Sequence, residues 1–505
     1  MFEGQPKGLY ALALANTGER FGYYTMIAVF SLFLRANFGL SAGTAGLIYS
    51  VFMGAVYFFP FLGGMVADKY GYGKMVTLGI FIMFIGYLLL AIPLGGDTFA
   101  LIFMCGALLC VSIGTGLFKG NLQVMVGNLY DAPELQGKRD EAFSIFYMAI
   151  NIGSLFAPTA AVRIMDWAQN SLGYSGNDAY HFAFSVACLS LVVSILIYYA
   201  FRSTFRHVEG TSADKVNETG EVVELSRQET RERIIALVLV FAVVIFFWMA
   251  FQQNGLTLTF FADEFTAKSA TGWQGMSFNV LNLVAIILIV YAAFALFQSK
   301  TTKARVIAGV VILASLGFLG YMYVTTSNEV VSVSAPIFQH FNPSYVVMLT
   351  PVSLAIFGYL ARKGKEPSAP RKIAYGMVVA AAAYAIMLFG SLGLPTPDEQ
   401  RVAGDAATFV SPNWLMSTYL VLTFGELLLS PMGISFVSKV APPKYKGAMM
   451  GGWFVATAIG NLLVSVGGFL WGGFPLWVVW GVFIVLCLLS AFFMMTMMKK
   501  LEKVC

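Results

Sequence analysis

Four ionisable side chains lie deep inside apolar stretches that are long enough to cross a bilayer: Glu19, Arg20, Lys119 and Glu426. A charge at the bilayer centre costs ~2.5–3.5 kcal/mol on insertion scales, so each group is expected to face a polar interior and to have a partner. Arginine can hold a carboxylate by two hydrogen bonds and lysine as a point charge, whereas glutamate can hold an ammonium group. These residues therefore indicate a site for an amino-acid-like or peptide-like zwitterion.

The neighbours of these charges follow helical spacing. Asn16, Glu19, Arg20 and Tyr23 lie at i, i+3, i+4 and i+7 and so share one helix face. Three later stretches carry similar stripes: Ser112, Thr115, Lys119 and Gln123; Trp248, Gln252, Gly255 and Thr259; Tyr419, Thr423, Glu426 and Ser430. The aromatic residues expected in the walls are Tyr23, Tyr24, Tyr57, Trp248 and Trp453. The stripes predict a central aqueous cavity, with hydrogen bonding that only holds the bundle together as the alternative.

The composition is that of a membrane protein. Of 505 residues, 58% are hydrophobic and 11% charged, against ~25% charged in soluble proteins. This excludes an ordinary soluble domain, a disordered chain and a nucleic-acid binder. A transmembrane helix needs ~20 apolar residues, and fourteen stretches qualify: 9–34, 44–67, 75–94, 99–126, 142–163, 180–201, 233–260, 278–298, 304–325, 337–361, 372–394, 412–438, 447–471 and 475–498.

The basic residues orient these spans. With a cytoplasmic N-terminus, 25 of the 31 Lys and Arg fall in cytoplasmic segments, as the positive-inside rule requires. Both termini are then cytoplasmic. The longest cytoplasmic connection, 202–232, is a polar linker that separates an N-terminal six-helix bundle, 1–201, from a C-terminal bundle, 233–505. The C-terminal bundle contains an additional helix pair at about 278–325.

Six motifs occur in order along the chain. They are Glu19-Arg20-Phe21-Gly22-Tyr23-Tyr24; Gly63-Gly64-x-x-Ala67-Asp68-Lys69-x-Gly71; Gly114-x-Gly116-x-x-Lys119-x-Asn121; Phe146-Tyr147-x-x-Ile150-Asn151-x-Gly153-Ser154-Leu155; Gln339-x-x-Asn342-Pro343 with Pro351; and Gly425-Glu426-x-x-x-Ser430-Pro431 with Gly452-Trp453. Together they resemble the proton-dependent oligopeptide transporter family, a branch of the major facilitator superfamily.

This resemblance implies a fold and a function. The fold would be an all-α polytopic membrane protein of the major facilitator type, with two six-helix bundles and two extra transmembrane helices. The function would be proton-driven import of di- and tripeptides by alternating access. By analogy, the carboxylate of the peptide would contact Arg20 and Lys119. Its amino terminus would contact Asn151, Asn342 and Glu426, and its side chains would contact Tyr24, Tyr57, Trp248 and Trp453.

Three residues depart from the family pattern. Asn16 replaces the first acid of the helix 1 motif, which is tied to proton coupling in the family. Ile27 and Gln252 replace an arginine and an acid that form a gate salt bridge in many relatives. We predict that Gln252 nevertheless belongs to the substrate-binding site. Because both gate charges are missing, we expect an apolar or amide contact to close the outer gate.

Proton coupling must then depend on the remaining deep carboxylates, Glu19 and Glu426. Our hypothesis is that Glu426 pairs with Lys119 when the halves close, and binds a proton when the peptide carboxylate takes Lys119. Glu19 would stay held by Arg20 or titrate second. His340, inside the fifth motif, is a further candidate for a titrating role.

Alternative functions stay open at this stage. A major facilitator transporter of another small solute, such as an amino acid, nitrate or a peptide-like drug, is the first, with proton coupling weakened by Asn16. A membrane enzyme is disfavoured because no catalytic constellation is present, and a peptide sensor because no signalling domain is appended. No cofactor is implied, and the cysteines have no metal-ligand spacing. The short termini favour the inner membrane of a bacterium.

Overall fold

The computed structural model describes residues 4–135, 138–210, 226–299, 301–442 and 446–504. Residues 211–225 of the predicted linker, 202–232, lie outside these ranges. The described chain is almost entirely helical. Its strands form one short ladder, in which β1 (Ser269–Ala270) pairs antiparallel with β2 (Val331–Ser332).

The helices fall into two groups along the chain. The N-terminal helices are α1 (Lys7–Phe38), α2 (Ala42–Tyr70), α3 (Tyr72–Ala91), α4 (Thr98–Asn128), α5 (Arg139–Leu172) and α6 (Gly176–Ala200). The C-terminal helices are α7 (Arg227–Phe251), α8 (Thr257–Glu264), α9 (Gly272–Met276), α10 (Val280–Gln298), α11 (Thr302–Thr326), α12 (Phe341–Arg362), α13 (Ala369–Gly390), α14 (Pro397–Val402), α15 (Asn413–Val440), α16 (Lys446–Leu462), α17 (Ser465–Leu470), α18 (Leu476–Thr496) and α19 (Met498–Lys503).

Thirteen spans in the described chain are long and apolar enough to cross a membrane. The exception among the predicted spans is α1, whose 32 residues include the buried polar groups Asn16, Glu19 and Arg20. At 1.5 Å per residue, a helix of this length exceeds the ~30 Å hydrocarbon core. With α1 the number of spans is fourteen, so the prediction of an all-α polytopic membrane protein is confirmed.

Local sequence sets the helix ends. Side chains of Ser41 and Asp97 accept hydrogen bonds from the first turns of α2 and α4, where four N–H groups have no partner within the helix. Ser226 and Glu229 form a reciprocal capping box at the start of α7. At the C-terminal end of α1, Gly39 adopts a positive φ of 61°, which glycine tolerates without steric cost.

The seventh predicted span, 233–260, is interrupted in the structure. After α7, the segment Gln252–Gly255 forms a 3-10 turn before α8 begins. The carbonyl of Asn254 accepts hydrogen bonds from Thr259 Oγ1 at 2.8 Å and Tyr419 Oη at 3.1 Å. The break thus has partners for its freed backbone group, as a helix interruption at membrane depth requires.

The additional pair α10 and α11 forms a hairpin between α8 and α12 in the chain order. The two helices pack against each other, and α10 also contacts α12. Most of α11 is exposed, and its buried residues are Ala308 and Ser315. Such exposure of an apolar helix fits contact with lipid rather than with the helix core.

Small residues allow the helices to approach closely. A Cβ on Gly63 of α2 would overlap the carbonyl of Gly116 on α4. The N-terminal and C-terminal helices also meet closely, since Gly46 of α2 lies against Gly468 of α17. Small residues at such crossings are typical of membrane helix packing, and here they hold α2 beside α16 and α17.

Candidate substrate-binding site

Glu19 and Arg20 form a buried ion pair on α1. Arg20 Nε donates to Glu19 Oε2 at 2.5 Å, and Arg20 Nη2 donates to Glu19 Oε1 at 2.6 Å. The two side chains are 0% and 3% exposed. The Arg20 guanidinium also lies 4.7 Å from the ring centroid of Tyr23. The positive charge of Arg20 is therefore largely satisfied by the neighbouring acid.

Lys119 is a cation without such an acid partner. Its Nζ lies 4.2 Å from the ring centroid of Tyr57, a geometry in which the ring face attracts the ammonium group. Arg20 and Glu19 lie within electrostatic reach of Lys119, so α1, α2 and α4 together form the positive side of the site. The ammonium group of the half-buried Lys119 can bind the carboxylate of a ligand.

Glu426 lies on α15, among the C-terminal helices. Its Oε2 accepts a hydrogen bond of 3.1 Å from Asn342 Nδ2, which also donates to Thr423 Oγ1 at 3.0 Å. Among the described residues no ion pair joins Glu426 to Lys119, whose Nζ lies over the Tyr57 ring. Glu426 thus presents a half-buried carboxylate held by an amide, suited to an ammonium group.

Three tyrosines connect the two sides. Tyr24, Tyr57 and Tyr147 each lie within electrostatic reach of Glu426. Tyr147 is 44% exposed although it belongs to the interior-facing motif of α5, as expected of a residue that lines an open space. The structure therefore brings Arg20, Tyr24, Tyr57, Lys119, Asn342 and Glu426 together around one interior region.

Asn151 lies one turn beyond Tyr147 on α5. Its Nδ2 donates to the carbonyl of Tyr147 at 3.0 Å, and its side chain is nearly buried. Tyr147 belongs to the same sequence motif as Asn151, but the residues predicted for the site include only Asn151. The i, i+4 spacing of Tyr147 and Asn151 was the signal that could have identified it.

Trp248 and Gln252 lie at the end of α7 and in the break that follows. Trp248 packs against the rings of Phe247 and Phe251, and Gln252 is 7% exposed. The Nε1 group of Trp248 has no protein hydrogen-bond partner. A buried donor of this kind is costly unless a ligand or water meets it.

Trp453 occupies a gap between two other helices. Its ring contacts Phe241 of α7 edge to face, and a Cβ on Gly433 of α15 would overlap it. Its contacts are therefore mainly those of helix packing. His340 is likewise fully buried against the Phe341 ring.

The predicted outer end is closed by two kinds of contact. At the level of Ile27, Gln339 Nε2 donates to the Ala28 carbonyl at 3.4 Å and to Thr259 Oγ1 at 3.2 Å. This is an amide contact of the expected type. Arg35 of α1 and Glu264 of α8 form an ion pair at 2.5 Å at the same end, and the amide or apolar gate stays a prediction.

A metal site does not emerge from these residues. Within the described ranges, no group of three or more His, Cys, Asp or Glu side chains is placed to hold a metal ion. What the geometry offers is a positive side, a negative side and aromatic walls. Such an arrangement is chemically suited to a solute with opposite charges at its two ends.

The chain is similar to known transport proteins over most of its length. The chain matches the model of the POT family, PTR2, over residues 73–225 and 318–467. It is 29% identical over 492 residues to the "Peptide transporter YePEPT" of Yersinia enterocolitica, covering 92% of this chain and 88% of that protein. It is 27% identical over 483 residues to the "Dipeptide and tripeptide permease A" of Escherichia coli, covering 93% and 84%.

A solved structure supports the fold. The chain superimposes on a POT family transporter crystallised with 5-aminolevulinic acid with a TM-score of 0.75, at 19% identity, covering 99% of this chain and 98% of that one. Because the family model matches more than half of the residues, the protein belongs to the POT family of multi-pass integral membrane transporters. The expected family and the major facilitator fold are thereby confirmed.

The family match leaves out residues 226–317. This interval contains α10 and most of α11. The additional hairpin therefore lies in the part of the chain that the family pattern does not describe. Its place between α8 and α12 agrees with the motif order, which put the extra pair after helix 7.

Proposed function

We propose that this protein imports di- and tripeptides together with protons. The observation that carries the proposal is the placement of Lys119 and Glu426 on opposite sides of one interior region, each without a partner of opposite charge in ion-pair contact. A zwitterion satisfies both groups at once. The peptide transporters among its relatives, which align over most of this chain, support the same substrate class.

The two ends of the peptide bind to different groups. The carboxylate contacts Lys119 and the outer face of the Arg20 guanidinium, and the ammonium contacts Glu426 and the Asn342 and Asn151 oxygens. Tyr24, Tyr57, Trp248 and Trp453 shape the space for side chains. The free Nε1 of Trp248 is a donor available to a peptide carbonyl.

Transport follows from relative motion of the two helix groups. The N-terminal bundle, 1–201, and the C-terminal bundle, 233–505, rock about the site, with 202–232 as the connection. Both termini are cytoplasmic and the membrane is the inner membrane of a bacterium, which assigns the Arg35 end as external. The contact between Arg35 and Glu264 then corresponds to a closed external side.

In the proposed cycle, proton binding depends on which charged group lies next to Glu426. When the halves close without substrate, Glu426 pairs with Lys119. When a peptide carboxylate takes Lys119, Glu426 loses that cation and binds a proton. Glu19 remains held by two hydrogen bonds from Arg20. One carboxylate thus links peptide binding to proton binding, although Asn16 replaces the first acid of the motif.

Counterflow of labelled dialanine in proteoliposomes tests this function. The wild type should exchange dialanine, and an acid-outside gradient should drive accumulation. Lys119→Ala should abolish both activities because the carboxylate loses its cation. Glu426→Gln should abolish only the accumulation and retain some exchange.

Matched controls lie outside the site. Lys363→Ala removes an exposed lysine that lies over Tyr359, and Glu329→Gln removes an exposed acid; both should transport normally. Equal accumulation with and without the proton gradient would exclude symport. Failure of unlabelled dialanine to compete with any transported solute would exclude peptides.

Another small zwitterion is the second candidate substrate. A family member of the same fold is known in complex with 5-aminolevulinic acid, which carries an ammonium and a carboxylate as a peptide does. The same charges would bind such a solute. Competition of dialanine with single amino acids and with 5-aminolevulinic acid separates the two candidates.

A further inference from the structure

Glu264, the last residue of α8, is the centre of a charged cluster at the predicted outer end. Its Oε1 pairs with Arg35 Nη1 at 2.5 Å and lies 3.6 Å from Arg401 Nε. Its Oε2 accepts a hydrogen bond of 3.1 Å from Trp471 Nε1. The carboxylate is 9% exposed, so these three groups supply most of its stabilisation.

Only one of the three partners, Arg35, comes from the N-terminal helices. Arg401 belongs to α14 and Trp471 follows α17. These two C-terminal partners are fixed to the Glu264 segment by further bonds. Gln400 Nε2 donates to the Glu264 carbonyl at 2.9 Å, and the Asp398 backbone N–H donates to the Gly472 carbonyl at 3.2 Å.

Arg35 is therefore the partner that separates from Glu264 when α1 moves away from α8. An acid at this burial is costly to leave without a cation. Arg401 is already within ion-pair range of the same oxygen, and its side chain is 42% exposed, so a small rotation brings it closer. Arg401 also contacts Asp398, with 3.2 Å between Nη2 and Oδ1, and can shift between the two acids.

We propose that Glu264 is the gate residue of the outer side and that it exchanges Arg35 for Arg401 as this side opens. With Arg35 bound, α1 and α8 are held together and the outer side is closed. With Arg401 bound, Glu264 keeps a cation from its own bundle while α1 departs. The proposal goes beyond the transported substrate, because it concerns which pair controls access.

The cluster places charges at the predicted outer end of α1 and α8, whereas Ile27 and Gln252 carry none. Arg35 lies eight residues beyond Ile27 on α1, which is about 12 Å along a helix. The gate charges are thus displaced outward, away from Lys119 and Glu426. Opening of the gate and titration of the substrate site are then electrostatically separate events.

The exchange predicts opposite effects for the two arginines. Arg35→Gln removes the closed-state partner and should favour the outward-open form. Arg401→Gln removes the open-state partner and should favour the closed form. A cluster that only stabilises the fold would not distinguish the two substitutions in sign.

External labelling of a cysteine at position 27 measures this equilibrium. Ile27 is 5% exposed beside the closed end, so Ile27→Cys, in a background without the native cysteines, should react slowly with a membrane-impermeant maleimide. Arg35→Gln should increase the labelling rate several-fold, and Arg401→Gln should decrease it. A change in the same direction for both variants, or in neither, would overturn the proposal.

Two conservative variants control for an effect of misfolding on the labelling rate. Arg35→Lys and Arg401→Lys retain the charge but lose the planar geometry of the guanidinium, and they should give smaller shifts of the same opposite signs. Equal signs in this pair would also overturn the proposal. The labelling needs no transported peptide, so its result is independent of whether dialanine is the substrate.

Discussion

A proton gradient of one pH unit should support at most a tenfold peptide gradient in this transporter. The prediction follows from a single titrating carboxylate. Each proton that moves down a gradient of one pH unit releases 1.36 kcal/mol. A neutral dipeptide carried with one proton therefore stops accumulating when its concentration ratio is about ten.

The structure makes Glu19 a poor second carrier. Protonation of Glu19 would give up two hydrogen bonds from Arg20 and leave that guanidinium, which is 3% exposed, without its acid. Breaking a buried pair in this way costs on the order of 3–5 kcal/mol. Glu426, which is held by the amide of Asn342, has no such pair to break.

A null-point assay measures the ratio directly. Proteoliposomes receive a gradient of one pH unit, acid outside, while potassium and valinomycin hold the membrane potential at zero. Labelled dialanine is supplied at a series of inside-to-outside ratios, and net flux is followed. We expect flux to reverse near a tenfold ratio. Reversal near a hundredfold ratio, the value for two protons, would refute the reasoning.

Two variants complete this experiment. In Glu426→Gln the null point should move to equal concentrations, because no carboxylate remains to carry the proton. In Glu329→Gln, an exposed acid outside the site, it should stay near tenfold. A tenfold null point in Glu426→Gln would assign the proton to another group, with Glu19 as the first candidate.

Two further predictions concern helix packing and an ion pair near the C-terminus. Gly255→Ala should slow dialanine exchange severalfold, because its Cβ would overlap the Tyr49 hydroxyl at the break after α7; Tyr49→Phe should partly restore exchange, and no rescue would contradict this steric reason. Hydrogen bonds from Ser368 and Arg371 lower the pKa of Glu502 outside the membrane, so Glu502→Gln should reduce the melting temperature slightly at pH 7. A carboxyl whose pKa is lowered on folding contributes stability above its ordinary pKa of about 4.3, and this contribution disappears as the pH falls through the shifted pKa. The difference in melting temperature from wild type should therefore shrink as the pH is lowered through that range, and a constant difference would argue against it.

The fold was predictable because membrane spans follow from simple physical rules. A transmembrane helix must form its backbone hydrogen bonds internally, because the bilayer core offers no partners. To cross that core it needs ~20 consecutive apolar residues. The predicted spans differ from the observed helices at their ends, as for 142–163 against Arg139–Leu172, and at internal breaks, as for 233–260, which is interrupted at Gln252–Gly255. Helix ends extend past the hydrocarbon into polar surroundings, where hydropathy no longer marks a boundary.

The interior charges were predictable for a related reason. Glu19, Arg20, Lys119 and Glu426 are expensive at their depth, so sequence alone indicated that they face a common interior. The expectation that Glu19 is held by Arg20 also came from the sequence, where the two residues are adjacent. Arg20 contacts Glu19, its direct neighbour in sequence, although residues at i and i+1 point to different directions on a helix. Long flexible side chains made this contact possible.

The charges of the outer end were missed because their cost in sequence is low. Arg35 and Glu264 lie at the ends of their spans, near the membrane–water interface. A charge costs little there, so it gives no signal in the sequence. Their contact joins residues 229 positions apart, and no local spacing reveals such a pair. Only the packing of α1 against α8 brings them together.

The arrangement of charges also explains why a doubly charged ligand suits this interior. Arg20 and Glu19 neutralise each other, which leaves Lys119 and Glu426 as the two charges with uncharged neighbours, the Tyr57 ring and the Asn342 amide. Each of these contacts is weaker than an ion pair in a dry interior. A ligand with a carboxylate alone would satisfy Lys119 and leave Glu426 as it was. A zwitterion offers an opposite charge to each of them, and its own net charge is zero, so the charge that the loaded site gains is that of the proton bound by Glu426.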